Sequence, residues 1–177
     1  DVPVNKMVYT AMLNSRGGIE CDLTVARLAE DHFYIVTGTG FRTHDFAWIV
    51  DHLKPGLEAK LTDITEQYGT LSVMGPKSRA VIQAVTKTDM SNAAFKFGEV
   101  LEIEIAGHKV RALRVTYVGE LGWELHMPIA ATGEVFDALM AAGKKYGVTP
   151  YGTEAMHVLR AEKGFIIVGQ ETDGSIN

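Results

Sequence analysis

Val115-Thr116-Tyr117-Val118-Gly119-Glu120-Leu121-Gly122-Trp123-Glu124-Leu125 is the stretch on which the fold turns. Two glycines three positions apart allow a tight turn, and Trp123–Met127 then reads as a strand. Side chains alternate along a strand, so Trp123 and Leu125 share one face and Glu124 takes the other. Upstream, Val100–Ile105 and Lys109–Tyr117 flank Gly107-His108 as a hairpin. Downstream, Val135, Phe136, Leu139 and Met140 mark a helix, with Gly143 where a C-cap glycine belongs. Thr153 is placed to N-cap a further helix that Gly164 ends.

The N-terminal half reads in the same way. Met7–Leu13 and Cys21–Leu28 alternate around Asn14-Ser15-Arg16-Gly17-Gly18 as a second hairpin, and His32–Thr37 is a third strand. Phe46, Ile49, Val50 and Leu53 recur at helical spacing until Pro55-Gly56. Leu61–Ile64 and Gly69–Met74 read as strands, and Gly75-Pro76 opens a helix through about Val85. Hairpins mixed irregularly with helices indicate an α+β fold with mixed or antiparallel sheets. The order strand–strand–helix–strand occurs in both halves and suggests two ferredoxin-like units.

Composition narrows the function. The 177 residues are 46% hydrophobic and 22% charged, with a net charge of −5 and both signs interspersed. A nucleic-acid binder usually carries a basic face, so no nucleic-acid partner is expected. No apolar run approaches the ~20 residues of a membrane span, so no membrane partner is expected. The first residues show no signal-peptide h-region. Cys21 is the only cysteine, which fits a reducing compartment: cytoplasm, or mitochondrial matrix in a eukaryote. The strand-like start near Asp1 and the abrupt end at Asn177 suggest a piece of a longer polypeptide.

Taken alone, each candidate site residue has a plain structural explanation. Glu124 on a strand is ordinarily a solvated carboxylate. Asp22 is more unusual, because Asp is disfavoured inside strands and a buried carboxylate must be paired. Cys21 beside it reads as a small core hydrophobe. Arg160 reads as a helix-surface arginine. Gly38-Thr39-Gly40 invites a dinucleotide reading, but the third glycine of the fingerprint is Thr43, and hairpins precede it instead of a βαβ unit. None of the six histidines stands at metal-ligand spacing from another His or Cys on an expected element, so no metal is expected.

Four segments together carry more. Tyr9-Thr-Ala-Met-Leu-Asn14-Ser-Arg-Gly17-Gly18-Ile-Glu-Cys21-Asp22-Leu23, Val73-Met-Gly75-Pro76, Tyr117-Val-Gly-Glu-Leu-Gly-Trp-Glu124 and Leu159-Arg160-Ala-Glu162 resemble, in order, four motifs of the glycine-cleavage T-protein (aminomethyltransferase) superfamily. Within it the chain is similar to the folate domains of dimethylglycine and sarcosine dehydrogenases. Glu162–Gly174 is similar to the sarcosine oxidase alpha subunit.

The resemblance implies one folate-binding domain over residues 1–177, with the family's N-terminal segment and C-terminal barrel lying outside it. It implies tetrahydrofolate as cofactor and a small amine-derived one-carbon donor, giving 5,10-methylenetetrahydrofolate. FAD, if the parent carries it, would belong to a separate domain, and the remaining domains of that parent are the expected macromolecular partners. Glu124 matches the family's pterin-binding carboxylate and Asp22 the acid near the reacting nitrogens. Tyr9 and Tyr117 match aromatic positions of the pterin cavity, and Arg160 matches a site arginine. T-proteins often carry a second Asp where this chain has Cys21. The alternative is a non-catalytic folate-binding or regulatory module on the same fold.

Overall fold

The structure, a computed structural model, describes residues 2–172. These residues divide into two compact units, 2–65 with 166–172 and 66–165. Its α+β, antiparallel character is as the sequence indicates.

In the first unit β1 (Met7–Leu13), β2 (Ile19–Arg27) and β3 (Phe33–Thr37) form an antiparallel sheet in sequence order. The turn between β1 and β2 is built by Asn14. Its side-chain oxygen accepts from the Arg16 and Gly18 amides at 2.9 Å each, and Gly17 takes φ 86° between them. Alternation along β2 buries Cys21 and Leu23 on one face and leaves Asp22 and Thr24 half-buried on the other, while the register shift at the start of the strand leaves Glu20 outside the ladder pairing. Helix α1 (Arg42–Asp51) packs against β2.

Two expectations fail in this unit. The apolar stripe of α1 is not its buried side: Phe46 and Val50 are exposed, Ile49 is half-buried, and the one buried residue of the helix is Asp45. Leu61–Ile64 is not a strand. Within it the Asp63 carboxylate accepts from the Thr65 amide at 2.9 Å and from Arg42 at 2.6 Å. That local bond satisfies the backbone without a sheet partner and starts a 3₁₀ turn at Thr65–Gln67.

The second unit is a four-stranded antiparallel sheet in the order β4 (Tyr68–Met74), β7 (Gly122–Pro128), β6 (His108–Leu113), β5 (Val100–Ile105). A β5-β6-β7 meander thus receives β4 on the β7 side. Helices α2 (Ser78–Gln83) and α3 (Thr132–Gly143) pack on the sheet and on each other, and α4 (Thr153–Lys163) follows. Trp123, Leu125 and Met127 are fully buried in the core with Ile82, Phe95, Ile105, Val110 and Val135. Phe95 meets the Trp123 ring edge-on at 6.0 Å, and the guanidinium groups of Arg79 and Arg114 stand over it at 5.3 and 5.5 Å.

The helix ends correct three details. Pro76 lies two residues before α2 instead of in its first turn. Gly143 is not a left-handed cap. It has φ −75° and is small because Val148 lies where its Cβ would be, 2.3 Å away, while Gly147 takes the left-handed conformation. Thr153 is the first helical residue of α4, and Gly152 is its N-cap. Gly164 ends that helix at φ 83°, as expected. The strand expected to run to Tyr117 stops at Leu113, and residues 114–121 are irregular.

Candidate functional site

Strand β7 presents Glu124 as the alternation requires. Its ladder partners are Ser72 on β4 and Leu113 on β6, so all three side chains share the face opposite Trp123. His126, two residues along, shares that face and is buried. Its Nε2 lies 3.4 Å from Glu124 Oε2, and its Nδ1 lies 3.4 Å from the Thr70 hydroxyl. These contacts are long for hydrogen bonds. The Glu124 side chain is 23% exposed. It keeps unused acceptor capacity on a face where water or a ligand reaches it. Glu120, the other carboxylate of the motif, is exposed.

Tyr151 also lies within the field of this carboxylate. Burial, and then the Glu124 charge, raise its phenol pKa above the ordinary value, which keeps the hydroxyl protonated as a donor. Tyr151 and Ser72 line a cleft of about 680 Å³ along the free edge of β4, together with Met74, Phe136, Leu139 and Tyr146. Glu124 itself is not on that lining. A cleft of this volume is of the size that small ligands occupy.

The Gly75-Pro76 turn is fixed to the Glu124 motif. The Gly75 amide donates to the Leu121 carbonyl at 2.8 Å and the Ser78 hydroxyl to the same oxygen at 2.9 Å. Tyr117 is half-buried in the irregular segment before β7. Gly119 follows with φ 78°, and a Cβ there would meet the Lys163 side chain of α4 at 2.4 Å. Arg160, on α4, folds back so that Nη1 donates to the Phe165 carbonyl at 2.8 Å, satisfying an acceptor just past the helix end. This contact gives Arg160 a structural task whatever else it does.

Asp22 and Tyr9 lie in the first unit. Asp22 faces Ala11 across the β1–β2 ladder, and Tyr9 is two residues along β1 on the same face. The Tyr9 hydroxyl donates to Asp22 Oδ2 at 2.6 Å, a short charge-assisted bond. The ring is 67% exposed. An Asp in mid-strand is therefore held by a diagonal cross-strand neighbour. Cys21, on the other face, is 2% exposed. Burial pushes its thiol up to about 12, and a hydrogen bond to Asp45 adds to the rise.

Sequence reasoning missed Tyr151, His126, His44 and Asp45. For His126 a signal existed: it follows Glu124 by two on one strand and so shares its face. Tyr151 left none beyond an aromatic between Pro150 and Gly152.

The family model described as the GCVT N-terminal domain matches residues 1–177. Human mitochondrial sarcosine dehydrogenase is 42% identical over 177 residues, covering 92% of this chain and 19% of that protein. Sarcosine oxidase subunit alpha of Corynebacterium sp. (strain P-1) is 42% identical over 173 residues, covering 95% of this chain and 18% of that one. The chain thus spans under a fifth of these curated relatives. The crystal structure of glycine cleavage system aminomethyltransferase T from Bartonella henselae superposes with a TM-score of 0.83 at 25% identity, over 98% of this chain and 45% of that one. Matched along its whole length by the family model, this chain belongs to the GCVT N-terminal domain family.

Proposed function

We propose that this chain binds tetrahydrofolate and takes part in one-carbon transfer, forming 5,10-methylenetetrahydrofolate from an amine-derived unit within a longer amine-demethylating polypeptide. The observation that carries the reading is Glu124: a carboxylate 23% exposed, on an inner strand of the sheet, with acceptor capacity to spare. A pterin offers two parallel N–H donors, from N3 and the 2-amino group, and a carboxylate accepts both at once. The Tyr151 hydroxyl and the cleft along β4 supply further polar and apolar surface beside it.

Tetrahydrofolate supplies two nucleophilic nitrogens that take up a one-carbon unit at the formaldehyde level. Asp22 has two tasks open to it. Its negative charge stabilises an iminium carbon electrostatically, and its carboxylate accepts the proton released when the unit is bound. Tyr9 fixes the Asp22 side chain through the 2.6 Å bond. Tyr117 lines the pterin site, and Arg160 orients or pairs charge. The aminomethyltransferase T and sarcosine enzymes among its relatives support this reading. The mitochondrial name of one of them is consistent with a matrix setting in a eukaryote. The remaining domains of the longer polypeptide are its partners, and FAD, if the parent carries it, belongs to one of them. Among the described residues no helix is long and apolar enough to cross a membrane.

The test uses the full-length polypeptide, supplied with its amine and tetrahydrofolate, with methylenetetrahydrofolate followed through a coupled dehydrogenase. Wild type forms the product and Asp22→Ala loses at least about a hundredfold in rate while still binding folate. Folate binding with a transfer rate that Asp22→Ala leaves unchanged refutes the catalytic role and leaves a folate-binding module.

A further inference from the structure

The first unit holds a second cluster that the folate reading does not use. Cys21 on β2 and His44 and Asp45 in the first turn of α1 converge, their ligand atoms all within 4.8 Å of one another. Cys21 and Asp45 are each 2% exposed, while His44 reaches the surface. His44 Nδ1 is 2.9 Å from Asp45 Oδ1. The other Asp45 oxygen accepts from the Thr37 hydroxyl at the end of β3. Glu20 adds a carboxylate oxygen 3.8 Å from His44 Nε2, and is itself held by Asn14 Nδ2 at 2.7 Å. A cleft of about 180 Å³ opens onto the group, its lining including Glu20, Cys21, Asp22, Phe41, His44 and Asp45.

We propose that Cys21, His44 and Asp45 form a site for a divalent transition-metal ion of the zinc type, with Glu20 or water in the fourth position. The ligand chemistry is one thiolate, one imidazole and one carboxylate, the set from which four-coordinate zinc sites are drawn. Metal–ligand bonds of about 2.0–2.3 Å place the ligand atoms of a tetrahedral site roughly 3.3–3.7 Å apart. A set already within 4.8 Å needs side-chain adjustments of about an ångström.

Charge gives an independent reason. A buried carboxylate is costly unless a positive partner neutralises it. The partners of Asp45 are a hydroxyl, an imidazole and a thiol; among the described residues no Lys or Arg reaches it, and the one side chain there able to carry positive charge is His44 itself. A divalent cation balances Asp45 together with an ionised Cys21, releasing the thiol proton to solvent. The Thr37 bond is the outer contact that orients a ligating carboxylate, and the ion would take the place of the His44 Nδ1 contact at Oδ1. Asp22 lines the same cleft, but neither it, Tyr9 nor Glu124 is a ligand of the proposed ion, and metal binding is read without folate, so the two readings fail separately.

The full-length polypeptide, stripped with a chelator, is titrated with Co²⁺. The expected result is one equivalent bound with thiolate-to-cobalt absorption in the near ultraviolet and strong visible bands of a four-coordinate ion, all displaced by Zn²⁺. Cys21→Ser loses the near-ultraviolet band. His44→Gln, at a half-exposed side chain whose change leaves the core intact, weakens binding at least about tenfold. Wild-type protein without the thiolate band overturns the proposal. So does a His44→Gln protein with the wild-type affinity and spectrum. Should Cys21→Ser fail to fold, His44→Gln decides.

Discussion

Replacing Glu124 by Gln tests the pterin anchor at nearly constant shape. The carboxylate offers two equivalent acceptors to two parallel donors, and hydrogen bonds to a charged group contribute about 1.5–3 kcal/mol each. Gln keeps one acceptor and turns an N–H₂ toward the second donor, so one bond is lost and the other loses its charge. The side chain is 23% exposed, so water offsets part of that loss. We take about 2–3 kcal/mol, or a Kd raised roughly 30- to 150-fold. Stability should barely change. The contact of Glu124 with His126 is 3.4 Å, too long to contribute much, so Tm stays within about 2 °C of wild type. The assay is calorimetric titration of the full-length polypeptide with tetrahydrofolate under reducing conditions, with circular dichroism as the folding control. A folded Glu124→Gln protein that binds within twofold of wild type refutes the anchor and, with it, the observation on which the function rests.

Two further outcomes follow from the same geometry. In Gly122→Ala the new Cβ falls 2.0 Å from Met74 Sδ and 2.9 Å from the Val73 carbonyl oxygen. The thioether can swing aside but the backbone oxygen cannot without disturbing the β4–β7 ladder, so urea denaturation should show a loss of about 2–3 kcal/mol; a loss under about 0.5 kcal/mol contradicts the tight approach. The Asp63 carboxyl is held down to about 2 by the Thr65 amide first and by Arg42 second. Because its folded pKa lies below the unfolded value, its stabilising contribution is complete above pH 3.8 and fades as pH falls through about 2. Carboxyl carbon NMR should place its midpoint near 2, and Arg42→Ala should raise it only part of the way; a midpoint near 4 in wild type contradicts the assignment.

What the sequence revealed, and what it hid, separates along one physical line. Strand alternation is a local rule, so the opposition of Glu124 to Trp123 and Leu125, and of Asp22 to Cys21 and Leu23, was readable directly. The Gly-rich turn at Asn14–Gly18 was readable for the same reason. Period alone could not say what each helix packs against. The apolar stripe of α1 was correct as a period and wrong as a buried face, because the helix turns Asp45 inward to the Thr37 hydroxyl and the Cys21 thiol. Glycine roles failed in a related way. Gly143 and Gly147 are both near the end of α3, and only the neighbouring Val148 reveals that the first is needed for space and the second for its positive φ.

The same line explains why the metal-type cluster left no motif. Metal-ligand spacing rules describe ligands carried on one element, a turn of helix or a tight loop. Here Cys21 comes from a strand and His44 and Asp45 from a helix reached only after a third strand, so the register of the β2–β3 ladder and the docking of α1 set the distances. The family resemblance rests on the segments around Tyr9–Asp22, Gly75, Glu124 and Arg160, and of the cluster only Cys21 falls within them. An acid at that position would place a second carboxylate beside Asp45. A thiol avoids that repulsion and gives the proposed site its soft ligand, which favours a zinc-type ion over a hard, oxygen-seeking one.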